Sequence, residues 1–445
     1  MAIDPQIYRA SVDLLHRELV CALGCTEPIA LAYGASLATA ALGEPVEHLH
    51  VSCSGNIVKN VKSVAVPNAE GLKGVEAAAI LGMLGGSPDR RLEVLESVTH
   101  DDVLTARTLI ADGFCTVELV ADVPNLYIVV EATGAHHTAS ATLRDRHTNV
   151  VQLCRDSSCV TDPDLAAHLC STGDDLGCAD APSTTKGSEF LTMENICAFA
   201  REVNLDDVRD LLERQITCNT AISREGLDGH WGSQVGRTIL ASRPADVVTR
   251  MRARSAAGSD ARMGGCSLPV VINSGSGNQG MTVSLPVIEY AETTRADHED
   301  LLRALCISNL TALHLKHYIG SLSAFCGVVC AAAGAGAAVT FLAGGTDDQI
   351  GATIINTLAN VGGIVCDGAK ASCAAKIASS VDAAMLGHTM AMLDCGFSAG
   401  DGLVQDTVEA TIMSMGYVGR VGMHSTDLEI LNIMIGKTCL EEMGC

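Results

Sequence analysis

Aromatic side chains are nearly missing from this 445-residue chain: one Trp, six Tyr and six Phe make up 3% of it. So few rings leave no stacking platform for nucleobases, and helices must pack closely through small side chains. Basic residues are also short. Lys and Arg number 29 against 52 Asp and Glu, giving a formal net charge of −23 that repels nucleic acid and anionic membrane surfaces. Small molecules and further copies of the chain are the expected partners, with a homodimer the ordinary symmetric arrangement. Phosphate-loop, zinc-protease and G-x-S-x-G signatures are absent. The glycines at 334–336 lack the strand and downstream acid of a dinucleotide site. Lys370 and Lys376 stand in no context that marks a Schiff-base lysine.

A chain of this length buries a large core and suggests two domains. Its 19 cysteines are odd in number and irregular in spacing, which fits a reducing cytoplasm better than a secreted disulfide framework. The first five residues carry no basic n-region, so no signal peptide is expected. Residues 319–345 hold no charge and are long enough to span a bilayer. Repeated Gly and Ala make them weakly apolar, and the expectation is a buried central helix and no membrane association.

The period of the apolar residues predicts an α+β chain. A mixed domain over 1–186 would carry helix across 8–42, broken at Gly24 and Pro28, and strands at 48–53, 115–120 and 126–131. A Ser, Thr, Asp, Gly and Pro-rich stretch between Cys170 and Ser188 reads as a linker. Beyond it, helical patterns at 193–202, 205–218, 298–317, 347–360 and 372–392 predict a mainly helical domain over 187–445.

Three cysteines of this second domain, Cys326, Cys366 and Cys373, stand among Gly and Ala. Thiols in such surroundings are either small buried hydrophobes or soft-metal ligands. Three thiolates, unlike four, leave one iron of an iron–sulfur cluster free to act as a Lewis acid. In one continuous helix Cys366 and Cys373 would lie roughly 10.5 Å apart along the axis, awkward for a single cluster. Cys366 is therefore expected on a loop bent by Gly362, Gly363 and the Asp367-Gly368 turn, with Cys373 in the following helix. Cys330, one helical turn after Cys326, is an alternative ligand.

Cys25 sits at a helix break in Leu23-Gly24-Cys25-Thr26-Glu27-Pro28. A thiol at a helix N-terminus or near a cation is more acidic, so Cys25 is a candidate nucleophile or base. Three turn-forming segments offer backbone amides to a carboxylate: Ser54, Gly55 and Asn56; His147, Thr148 and Asn149; and Ser274, Gly275, Ser276, Gly277 and Asn278. Plain surface turns are the alternative. Arg262 can grip a carboxylate bidentately, or else pair with Asp260 at the surface. His314 and His317 lack a third metal ligand and read as helix polarity.

Taken together, the Leu23 to Pro28 motif, residues 259–265 and 273–280, and the Cys366 and Cys373 segments resemble the L-cysteine desulfidase family, related to the α chain of iron–sulfur L-serine dehydratases. The likeness covers nearly the whole chain. It implies one [4Fe–4S] cluster per chain held by Cys326, Cys366 and Cys373, with Cys25 as proton acceptor and Cys330 as packing. The implied reaction is elimination from L-cysteine, giving sulfide, pyruvate and ammonia. This chain departs from the family in the cysteine-rich stretch 152–188, with Cys154, Cys159, Cys170 and Cys178, and in Asp145-Arg146 before His147, where glycines are usual. The chain also ends in Cys445, and a terminal cysteine can occupy the cluster in the related dehydratases. L-Serine is the rival substrate, and a noncatalytic iron–sulfur sensor is the rival of another class.

Overall fold

Alternating apolar and polar residues build one sheet and close one ribbon. The computed structural model describes residues 3–169, 190–242, 244–320 and 322–438. Its strands are β1 (Cys21–Leu23), β2 (Val46–Ser54), β3 (Cys115–Val120), β4 (Tyr127–Gly134), β5 (Thr138–Arg144), β6 (Val150–Arg155), β7 (Ser158–Cys159) and β8 (Pro269–Val271). The six-stranded sheet has the order β3-β2-β4-β5-β6-β7, with β2 and β3 parallel and the other neighbours antiparallel. In β2, Leu49, Val51 and Cys53 are buried while His48, His50 and Ser52 between them are partly exposed, the period of a half-covered strand.

The helix Thr26–Leu42 covers the inner face of this sheet, packing on β4, β5 and β6. Behind it the helix Val75–Gly85 comes within backbone contact. A Cβ on Gly82 would lie 2.3 Å from the Ala32 carbonyl oxygen.

The later part is helical. The helix Gly327–Leu342 is buried from Val328 to Thr340 and is wrapped by His298–Ile319, Asp347–Val361, Cys373–Met392 and Gly277–Thr294. Alanine and glycine line it, so neighbouring backbones approach closely without aromatic filling. This is the expected central helix. No helix among the described residues is long and apolar enough to cross a membrane.

The chain is thus α+β, a mixed region followed by a mainly helical one. Two exchanges tie the regions together. Leu14, Leu15 and Leu19 pack in the helical core, while Val270, Ile272, Met281 and Leu285 pack in the core beneath the sheet. β1 and β8 pair antiparallel, Cys21 opposite Val271 and Leu23 opposite Pro269.

Pro28 does not break a helix. The helix expected over 8–42 is interrupted near Gly24 as expected, but by the strand β1, which separates Pro5–Glu18 from Thr26–Leu42. Pro28 lies in the first turn of the second, where its missing N–H has no intrahelical partner to lose. The helix expected over 205–218 is a 3₁₀ turn, Leu205–Asp207, followed by a longer helix, Arg209–Asp228. The expected linker between Cys170 and Ser188, with Cys170 and Cys178, and the terminal Cys445 lie outside the described residues.

Candidate functional site

β1 and β8 run antiparallel and end at opposite ends of their ribbon, yet the segments that follow them come together at Thr26 and Gly275. After β1 comes Cys25, the N-cap of Thr26–Leu42. After β8 the chain turns back on itself at Asn273 and Ser276, whose backbones exchange hydrogen bonds of 3.0 and 3.2 Å. Both central residues are left-handed, Ser274 at φ 50° and Gly275 at φ 72°, as a type I′ turn requires. Thr26 Oγ1 donates to the Gly275 carbonyl at 2.8 Å and ties the two segments together. A cavity of about 580 Å³ opens beside them, within the size range of small-molecule sites.

Cys326, Cys366 and Cys373 all line this cavity. Cys326 is the N-cap of Gly327–Leu342, Cys366 lies on the loop before Cys373–Met392, and Cys373 opens that helix, as the spacing argument requires. Two backbone bonds clamp the loop: Cys326 N–H to Ile364 O at 3.1 Å and Cys366 N–H to Ala324 O at 2.6 Å. Cys330 is fully buried inside its helix, away from the cavity lining.

The neighbouring Cys326 thiol pulls Cys366 below the ordinary thiol range against the effect of burial, with Lys59 and Lys376 assisting. The Cys366 thiol, followed by burial, pushes Cys326 well up. Burial chiefly raises Cys373. Among the described residues no three Cys, His, Asp or Glu side chains converge as a single metal ion requires. Three soft donors lining the cavity, near the lysines 59, 316 and 376, suit the chemistry of an iron–sulfur cluster.

Cys25 also lines the cavity, in a small cluster with Val64 and Met263 against which Cys373 packs, and its state differs from expectation. Its Sγ donates to Glu27 Oε2 at 3.1 Å. Burial and the Glu27 charge push the thiol well above its ordinary range, against the pull of Arg262, so it rests protonated. The helix N-terminus does not make it acidic. Glu27 is the residue that carries the charge. Burial works against its ionisation, but His147, the Cys25 thiol and Arg262 together hold it down to about 2. His147 Nε2 lies 3.7 Å from Glu27 Oε1, too far for a hydrogen bond, and that nitrogen is buried without a partner.

Arg262 is no surface residue. It is 2% exposed, and its Nε donates to the Gly24 carbonyl at 2.7 Å. Asp260 instead accepts from the Gly236 amide. Of the expected turn residues, Asn56, His147, Thr148, Ser274, Gly275, Ser276 and Asn278 line the cavity. Ser54, Gly55, Asn149 and Gly277 do not, and each has a structural engagement. Ser54 Oγ donates to Asn125 O, Asn149 Nδ2 donates to Arg144 O, Gly55 abuts Leu431, and Gly277 leaves room for the Arg262 guanidinium. His314 pairs with Glu409 at 2.7 Å, the helix polarity expected of it.

Glu27, Lys59, Gln279 and Lys316 are wall residues for which the sequence suggested no role. Glu27 had a visible signal, a lone acid beside a cysteine at the head of an otherwise apolar run. Four polar atoms on the wall are buried and unpaired: Asn56 Oδ1, His147 Nε2, Asn278 Oδ1 and Gln279 Oε1. Such groups are costly unless a ligand satisfies them.

The serine dehydratase alpha chain family matches residues 89–432, which takes in the turn and all three cysteines. The chain belongs to that family. Among its relatives, a UPF0597 protein of Lachnoclostridium phytofermentans is 47% identical over 429 residues, covering 96% of this chain and 100% of the relative. UPF0597 proteins of Desulfitobacterium hafniense and Finegoldia magna are 46% and 45% identical, covering 98% and 96% of this chain and 99% of each relative.

Proposed function

We propose that the chain is a non-redox lyase that removes the β-substituent of a small L-amino acid, with L-cysteine as substrate and sulfide, pyruvate and ammonia as products. The observation that carries this reading is the meeting of three cysteine thiols and the Cys25–Glu27 pair on one cavity lined by unpaired amides. Cys326, Cys366 and Cys373 would hold a [4Fe–4S] cluster, one per chain, which when bound would supply a Lewis-acidic iron for the departing thiolate without any redox change.

The protein's own residues handle the carboxylate and the protons. Arg262 and the turn at 274–278 receive the carboxylate, Arg262 with its guanidinium fixed through Nε and backed by Gly277. Cys25 takes the Cα proton as a thiolate. To reach that form it passes its own proton along the 3.1 Å contact to Glu27. Loss of the Cα proton and of the β-thiolate leaves aminoacrylate and, with one proton, hydrogen sulfide. Water then converts aminoacrylate to pyruvate and ammonia.

L-Serine is the second reading, favoured by the description of the matching family. The test is anaerobic reconstitution followed by parallel assays of sulfide, pyruvate and ammonia from L-cysteine and L-serine. Equal sulfide and pyruvate from L-cysteine support the proposal. Pyruvate from L-serine alone replaces it with a dehydratase, and a loaded cluster inert to both substrates refutes the lyase.

A further inference from the structure

The Asn56 side chain is held in a single orientation. Its Nδ2 donates to Asp427 Oδ2 at 3.0 Å and to Asn125 Oδ1 at 3.3 Å. Asn125 is fixed in turn, because its Nδ2 donates to the Leu322 carbonyl at 2.8 Å and so presents its oxygen to Asn56. The second Asp427 oxygen is taken by the buried ammonium of Lys59. A flipped Asn56 amide would set its oxygen against a carboxylate and forfeit both bonds. Asn56 Oδ1 is therefore committed as an acceptor, buried on the cavity wall with no donor.

An acceptor fixed in this way repels a carboxylate and calls for an N–H. Of the polar groups of a small amino acid, the α-ammonium alone offers only donors. We infer that Asn56 Oδ1 accepts an N–H from the substrate's α-ammonium, and that Asp427 is the positioning residue that holds the amide for it. Asp427 lies on the helix His424–Met434, 371 residues along the chain from Asn56. The inference rests on the amino-acid substrate proposed above and assigns Asn56 to the ammonium in place of the carboxylate.

L-Alanine and propionate test it, since they differ in the ammonium and neither has a leaving group. Calorimetric titration of the full-length, cluster-loaded protein should show L-alanine binding about tenfold or more tighter than propionate, the worth of a hydrogen bond to a charged group. Asn56→Leu should remove most of that preference while leaving propionate affinity within about twofold. Asp427→Asn should lower the preference several-fold, because its amide can donate back to Asn56 Oδ1 and let the side chain turn. Lys59 keeps an acceptor in that variant, and circular dichroism checks the fold of each. With the turnover substrate, Asp427→Asn should raise KM with little change in kcat, and Asp427→Glu should partly restore it.

The inference is overturned if the wild-type protein shows no preference or binds neither probe, if Asn56→Leu weakens both probes equally, or if folded Asp427→Asn keeps the full preference. Elimination assays on the same preparations separate the two readings. A preserved ammonium preference without turnover refutes the lyase and supports the role of Asn56.

Discussion

The Cys25 thiol lies 3.1 Å from Glu27 Oε2, and each group sets the protonation of the other. The carboxylate keeps the proton on sulfur, and the S–H helps keep the carboxylate ionised. Glu27→Gln removes the negative charge, so Cys25 should become more acidic while burial still holds it above an ordinary thiol. Alkylation of Cys25 by iodoacetamide, followed across pH by peptide mapping, should therefore reach its midpoint at lower pH in Glu27→Gln than in the wild type. An unmoved midpoint would show that burial alone sets the thiol.

Removing the proposed base should separate chemistry from assembly. Cys25→Ala is expected to lower turnover by about a hundredfold or more, with the visible absorption of the iron–sulfur cluster unchanged. Full activity in that variant would place the base elsewhere.

Acid should weaken the contribution of Glu27. Its pKa in the fold is about 2 against an ordinary 4.5, so the ionised carboxylate stabilises the fold above about 4.5 and loses this effect as pH falls toward 2. The gap in urea midpoint between the wild type and Glu27→Gln should be constant from pH 7 to about 5 and shrink below that. A gap that widens on acidification would reverse the assignment.

The cysteines should divide by position. Cys326→Ser, Cys366→Ser and Cys373→Ser should each lose most of the bound iron and acid-labile sulfide after anaerobic reconstitution. Cys330→Ser, buried away from the cavity, should retain them. Metal content per chain checks all four.

Gly277 is a steric matter. A Cβ there would lie 2.3 Å from Arg262 Nε and 2.7 Å from Val270 Cγ2. Gly277→Ala should cost about 1–3 kcal/mol of stability, as overpacking does, and raise KM by displacing Arg262. Thermal melts and steady-state kinetics measure the two effects.

Much of this was legible in the sequence. Strand Cys115–Val120 and helix Met193–Glu202 match the expected spans, and the loop position of Cys366 followed from the rise per residue of a helix. Periodicity reads local geometry, and these are local facts. The helix Gly277–Thr294 escaped notice because Gly277, Gly280 and Pro286 suggest turns, although Ser276 caps it and it is buried through most of its length. The protonated state of Cys25 was unreadable because it depends on a full-depth burial that no motif reports. Asp427 was invisible for a simpler reason. It touches Asn56 only through the tertiary fold.

The β1–β8 ribbon also sets a timetable for synthesis. Cys21, Ala22 and Leu23 pair with Val271, Val270 and Pro269, so the strand that leads into Cys25 stays single until the chain has grown past residue 271. A contact of such long sequence separation closes slowly. On the ribosome, where domains usually fold from the N-terminal end, the six-stranded sheet can assemble while its neighbour Cys25 still waits for a partner. Trapped nascent chains ending before residue 269 should then expose the Cys25 thiol to labelling, and the whole chain, with Ala369 and Cys373 packed beside it, should protect it.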